Sequence, residues 1–272
     1  EIHNIPDHVS GVTSVSAGTT VDDEATVSGS GPTPTGTVDF TFYTSGNCTT
    51  GGSAAGTGIA LVSGVAHPST SQGPLNAGSY SFKAHYNGND DYNSADSACE
   101  PLTVTKLDSN IVTEIHNASE AVVTSVPAGS TVHDKATVSG SFTTPTGNVD
   151  FTFYNNGNCT PTGSPAGTVA LVGGVAHPST TQGPLNAGSY SFKAHYNGDV
   201  NYVPLDSACE PLTVTKLDSQ VVTQIHDEGE GIVISVPAGS TVHDKATVSG
   251  SFTIPTGNVD FIFFTSGNCT TG

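Results

Sequence analysis

The chain has 272 residues, with 24 acidic residues against 6 lysines and no arginine, for a net charge of −18. That balance repels phosphate backbones and argues against a nucleic-acid partner. It also keeps a long extended protein soluble and self-repelling.

Val, Ile, Thr, Tyr and Phe supply most of the hydrophobic content, and Gly and Pro are frequent. No window shows a helical period, so many short strands joined by tight turns are expected. No apolar run is long enough to span a bilayer. The first residues read as strand rather than as a secretory leader, so any leader is expected outside this sequence.

A repeat organises the chain. Gly73–Gly88, GPLNAGSYSFKAHYNG, returns unchanged as Gly183–Gly198, and the match extends back to Gly64 and Gly174 with only Ser71 against Thr181. Cys99 to Cys209 and Cys159 to Cys269 each span about 110 residues, the size of a domain with its own core. The expected units are 1–109, 110–218 and an incomplete 219–272.

In chain order, Glu1-Ile2-His3-Asn4 is matched by Glu114–Asn117 and Gln224–Asp227. Val21, Val132 and Val242 head the next strand. After the turn Pro34-Thr35-Gly36, Val38, Phe40 and Phe42 point one way and Asp39 and Thr41 the other. The copies are Val149-Phe151-Phe153 and Val259-Phe261-Phe263. A glycine-rich turn holds Cys48, and Ile59–Val62 and Val65–His67 are two short strands. Asn76-Ala77-Gly78 is turn chemistry. Tyr80, Phe82, Ala84 and Tyr86 then alternate with Ser81, Lys83 and His85, the pattern of a half-buried strand. The polar loop Asn89–Ser97 leads to Cys99 and a last strand, Leu102–Thr105. About seven strands per unit at this spacing predict an antiparallel β-sandwich. The junctions Lys106–Ser109 and Lys216–Ser219 are too short for a floppy tether, so the units are expected end to end.

Few residues suggest chemistry. His3, His67, His85, His133 and His243 fall on different strands, and Asp22 stands where unit 2 has His133. A metal site needs converging ligands, so no metal is expected and the histidines read as surface or locally bonded. Asp90, Asp91 and Asp96 are a weak calcium candidate, because the second copy does not repeat the set. Asn47, Asn117, Asn158 and Asn268 match the N-glycosylation pattern. Neither a Gly-x-Ser-x-Gly elbow, a His-Glu-x-x-His pair nor a P-loop is present, so neither an enzyme nor a cofactor is expected.

The frame Pro34-Thr35-Gly36-Thr37-Val38, Leu75-Asn76-Ala77-Gly78-Ser79-Tyr80 and Ala84-His85-Tyr86-Asn87-Gly88 with Tyr92 resembles the bacterial Ig-like repeats found in tandem in large surface proteins and adhesins. The resemblance covers nearly all of each unit. It implies all-β, immunoglobulin-like sandwiches with an extracellular stalk or adhesive role, and it brings no catalytic residues. In such a sandwich the loops bearing Cys48 and Cys99 emerge at the same end. The resemblance therefore implies disulfides Cys48–Cys99 and Cys159–Cys209, with Cys269 unpaired, and an oxidising location. Free thiols and pairing between units remain the alternatives. Some Ig-like surface domains carry lysine isopeptide bonds, but Lys83 reads as outward. An ion pair with Asp39, repeated as Lys193 with Asp150, is expected instead.

The expected function is a structural segment of a long extracellular cell-surface protein, forming a stalk, fibre or filament. The alternative is an adhesive module that recognises carbohydrate or protein through exposed loops. The expected partners are copies of the protein itself or a surface ligand. Unit 3 is expected to continue beyond Gly272; completion by another chain is the rival.

Overall fold

The structure, a computed structural model, describes residues 1–5, 7 and 9–270. The last two residues of the third expected unit therefore lie outside the described residues. Units 1 and 2 are each two packed β-sheets. In unit 2 the smaller sheet runs in the order Ser109–Asn117, Val132–Gly140, Val175–Ala176. The larger runs Ser125–Pro127, Glu210–Thr215, Gly188–Tyr196, Asn148–Tyr154, Ser164–Ala170, with Leu205–Asp206 on the end of Gly188–Tyr196. Ser125–Pro127 pairs parallel to Glu210–Thr215 and the other pairings are antiparallel. Unit 1 follows the same plan, with Ser14–Ser16 parallel to Glu100–Thr105, but its smaller layer is split into two pairs, Ile2–Asn4 with Val21–Asp23 and Ala25–Thr26 with Val65–Ala66.

The side-chain period of two builds the core. Along Thr37–Tyr43, Val38, Phe40 and Phe42 are buried between half-exposed neighbours. They meet Phe82, Ala84 and Tyr86 on the neighbouring strand and Leu102 and Val104 on the next. Unit 2 repeats this with Val149, Phe151, Phe153, Phe192, Ala194, Tyr196, Leu212 and Val214. Phe42 stacks on Tyr80 with centroids 5.5 Å apart, and Phe153 on Tyr190 at the same distance.

Two expectations are corrected. Lys83 does not pair with Asp39. It lies opposite Thr41 and reaches Asp96 at 3.4 Å, whereas Asp39 lies opposite His85 and accepts the Gly58 amide at 2.6 Å. Lys193 likewise reaches Asp206 at 2.8 Å, and Asp150 is bonded by Thr168 and Asn197. The cause is the short strand Ala95–Asp96, which pairs with His85 and Tyr86 and sets a carboxylate beside the lysine.

In unit 3, Ser219–Asp227 and Val242–Gly250 form a hairpin, but Val259-Phe261-Phe263 is not in a strand. In unit 2 the corresponding strand lies between Gly188–Tyr196 and Ser164–Ala170. The described residues of unit 3 contain neither partner, so its backbone groups have no ladder to join. Val259, Phe261 and Phe263 are exposed accordingly.

Candidate functional site

Three places bring side chains together in ways a bare scaffold does not require. The first is the end of each sandwich that carries the cysteines. Cys48 and Cys99 are joined, with Cα atoms 5.8 Å apart, and so are Cys159 and Cys209, also at 5.8 Å. The buried Ser81 ties this corner down. Its hydroxyl accepts the Cys48 amide at 3.0 Å and donates to the Ser45 carbonyl at 2.6 Å. Ser191 repeats both contacts, with Cys159 and Asn156. Cys269 is free and exposed.

The second place is the joint between units 1 and 2. The linker residue Leu107 packs against both cores. Its amide donates to the Asn201 carbonyl at 2.8 Å, and its carbonyl accepts the Val203 amide at 3.0 Å. The buried Asn201 side chain reaches back into unit 1, where its Oδ1 accepts the Ala77 amide and its Nδ2 donates to Asn76 Oδ1, both at 3.0 Å. The Phe142 ring covers Gly18, where a Cβ would come within 3.0 Å of it. Phe252 lies over Gly129 of unit 2 in the same way. A groove there is lined by Ala128, Asn186, Ala187, Leu217, Phe252 and Pro255. These include the repeat counterparts of Asn76, Ala77, Leu107 and Phe142.

The third place overturns the expectation that the histidines stay apart. His116 ends one strand and His133 begins the next, and antiparallel register sets them directly opposite. Val175–Ala176 pairs on the other side of Val132–Gly140 and delivers His177. Because Ile115, Val132, Asp134 and Ala176 face the core, the three histidines share the outer face. The turn after Asn117 folds over them. Asn117 Oδ1 accepts the Ser119 and Ala121 amides, and Glu120 takes a left-handed backbone with φ 63°. His133 Nε2 and His177 Nε2 lie 3.0 Å apart. Glu120 Oε2 lies 3.4 Å from the first, 3.2 Å from the second and 3.6 Å from His116 Nδ1. Burial, with help from the neighbouring His133, His116 and Lys135, holds the His177 pKa down against the pull of Glu120. Unit 1 gathers His3, Glu24 and His67, with Asp22 Oδ1 3.5 Å from His67, and unit 3 gathers His226, Glu230 and His243.

The remaining candidates are engaged locally. Asp96 pairs with Lys83 and with His85, the latter at 2.7 Å, and those contacts hold its pKa down, the His85 hydrogen bond first. Among the described residues, the groups of three or more metal-ligating side chains lie elsewhere than Asp90, Asp91 and Asp96. Asn47, Asn158 and Asn268 are exposed and Asn117 is half-buried. Each accepts a hydrogen bond from the hydroxyl two residues on, at 2.6, 3.1, 2.7 and 2.9 Å respectively. Sequence reasoning missed Asp134, a buried carboxylate, and Glu210, a half-buried one, each with a buried, unpartnered oxygen in unit 2. Alternation with Val132 and Ala136 already placed Asp134 inward.

No curated protein matches the chain. Among solved structures, the chain is similar to a D312A form of BcpA, the major pilin subunit of Bacillus cereus. The identity is 11%, covering 82% of this chain and 83% of that one, with a TM-score of 0.21, which is too low to carry an argument. The sequence model of the bacterial Ig-like domain, group 3, matches residues 9–105 and 119–215. Those two matches take in most of both full units, and the chain belongs to the bacterial Ig-like domain family, group 3.

Proposed function

We propose that this chain is a load-bearing segment of an extracellular stalk or fibre, built by stacking Ig-like units end to end. The observation that carries the reading is the joint. Asn201 of one unit is bonded to Asn76 and Ala77 of the unit before it, and Leu107 is shared between two cores. Unit 2 presents the same joint residues, Asn186, Ala187 and Leu217, toward unit 3. A receiving face that recurs with the repeat suits a uniform rod whose partners are further copies of the unit. The paired cysteines fit an oxidising compartment, and the net charge of −18 suits a solvated, self-repelling surface.

Immuno-electron microscopy of cells that produce the protein tests the reading. Antibody raised against units 1 and 2 is expected to decorate extended structures outside the envelope. Label confined to the cell interior, or to compact particles, overturns it.

A further inference from the structure

We propose that His116, His133, His177 and Glu120 of unit 2 form a binding site for one divalent transition-metal ion of the zinc class. Three imidazoles and a carboxylate are borderline donors that suit zinc, nickel or copper rather than calcium or magnesium, which take oxygen. The geometry fits. Ligands at zinc distances in a tetrahedron lie about 3.4 Å apart, and the separations among His133, His177 and Glu120 run from 3.0 to 3.4 Å. One nitrogen of His116 is within 4.8 Å of the other ligand atoms.

His116 supplies an independent observation. It is 7% exposed, and its Nε2 is buried with no hydrogen-bond partner, the carboxylate oxygen Glu114 Oε2 standing off at 3.7 Å. Its Nδ1 lies 3.1 Å from the Glu120 carbonyl, which can only accept. The proton of the neutral ring therefore sits on Nδ1 and the free lone pair on Nε2. A ligating histidine usually donates its other nitrogen to a carbonyl in this way.

The repeats point the same way. Where unit 2 has His116, His133 and His177, unit 1 has His3, Asp22 and His67, so the one change exchanges a ligand type for another ligand type. Unit 1 keeps only two imidazoles and is expected to bind more weakly. Four protein ligands close the coordination shell, which makes the unit 2 site a structural clasp between the turn and three neighbouring strands.

The untagged full chain, stripped with chelator, is titrated with zinc chloride by calorimetry while thermal unfolding is followed. A saturable site and a raised unfolding temperature of unit 2 are expected. Loss of a second-shell partner alone typically costs about 10–100-fold in affinity. The His133→Gln/His177→Gln double variant should therefore weaken the tightest site by more than about tenfold and abolish the thermal shift. His85→Gln, outside the cluster, should leave both unchanged. Should the double variant not fold, Glu120→Gln on the exposed turn is read instead, with the same loss of affinity expected. Absence of saturable binding in the parent chain, or a tightest site that persists in the variant that folds, overturns the proposal.

Discussion

Asn201 of unit 2 grips unit 1 through two hydrogen bonds of 3.0 Å, accepting the Ala77 amide and donating to Asn76 Oδ1. The residue is buried, and its Nδ2 also lies 3.3 Å from Thr143 Oγ1. Asn201→Ala leaves the Ala77 amide without its partner. The expected cost to docking of the two units is about 1–2 kcal/mol. Each unit keeps its own core, so their separate unfolding temperatures should hardly move. Small-angle scattering of the full chain should show a broader spread of inter-unit orientations. An unchanged scattering profile would mean that Leu107 and Phe142 hold the joint unaided.

Tyr202 is the pin beneath that joint. Its hydroxyl accepts the Phe142 and Thr143 amides, at 2.8 and 3.0 Å, and donates to the Thr143 carbonyl at 2.8 Å. The ring packs so closely on Gly140 that a Cβ there would meet it at 2.2 Å. Tyr202→Phe is expected to destabilise unit 2 by about 1–3 kcal/mol, because two amides lose their acceptor. Gly140→Ala should cost a similar amount by forcing the ring out of place, about 1–3 kcal/mol. Urea unfolding of each variant measures both. In unit 1 the counterpart Tyr92 bonds an exposed strip, Gly31 and Pro32, so Tyr92→Phe should cost less.

The disulfides close loops with sequence separations of 51 and 50. In the chain-entropy account, each restricts the unfolded chain enough to add about 4 kcal/mol. Reduction, or Cys159→Ser with Cys209→Ser, should therefore lower the stability of unit 2 by about 2–4 kcal/mol. Unit 1 should be untouched by the double substitution. Calorimetric scans with and without reductant resolve the two units, and an equal drop in both under the substitution would count against independent cores.

Much of this was readable in advance because a strand exposes its period directly. Val38, Phe40 and Phe42 alternate with polar neighbours, and the same three side chains fill the core. What stayed hidden depended on register. His116 and His133 are far apart in sequence on a polar face, and only the pairing of their strands sets them opposite each other. Lys83 had Asp39 as its visible partner because the two-residue strand Ala95–Asp96 is too short to announce itself as a pattern. Asp134 was the opposite case, because alternation with Val132 and Ala136 alone places it inward.

That buried acid gives the pH behaviour. Asp134 is fully buried, and desolvation with the negative charge of Glu210 pushes its pKa up to about 8 from 3.8. The folded state then keeps its proton up to about pH 8, while the unfolded chain gives it up near pH 4. Between those limits the folded state binds more protons, so stability falls as pH rises and the loss is complete above pH 8. Asp134→Asn replaces the protonated acid with a neutral group of the same shape. The variant should be more stable than the parent at pH 8, by an amount on the order of a few kcal/mol, and the difference should vanish towards pH 4. Asp23, the counterpart in unit 1, is also pushed up by burial, but only to about 6. Asp23→Asn should accordingly give a smaller gain, confined to a lower pH range. Guanidinium unfolding of the three proteins from pH 4 to pH 9 measures these slopes. A parent chain whose unit 2 gains stability from pH 5 to pH 8 would show that Asp134 ionises freely in the folded state.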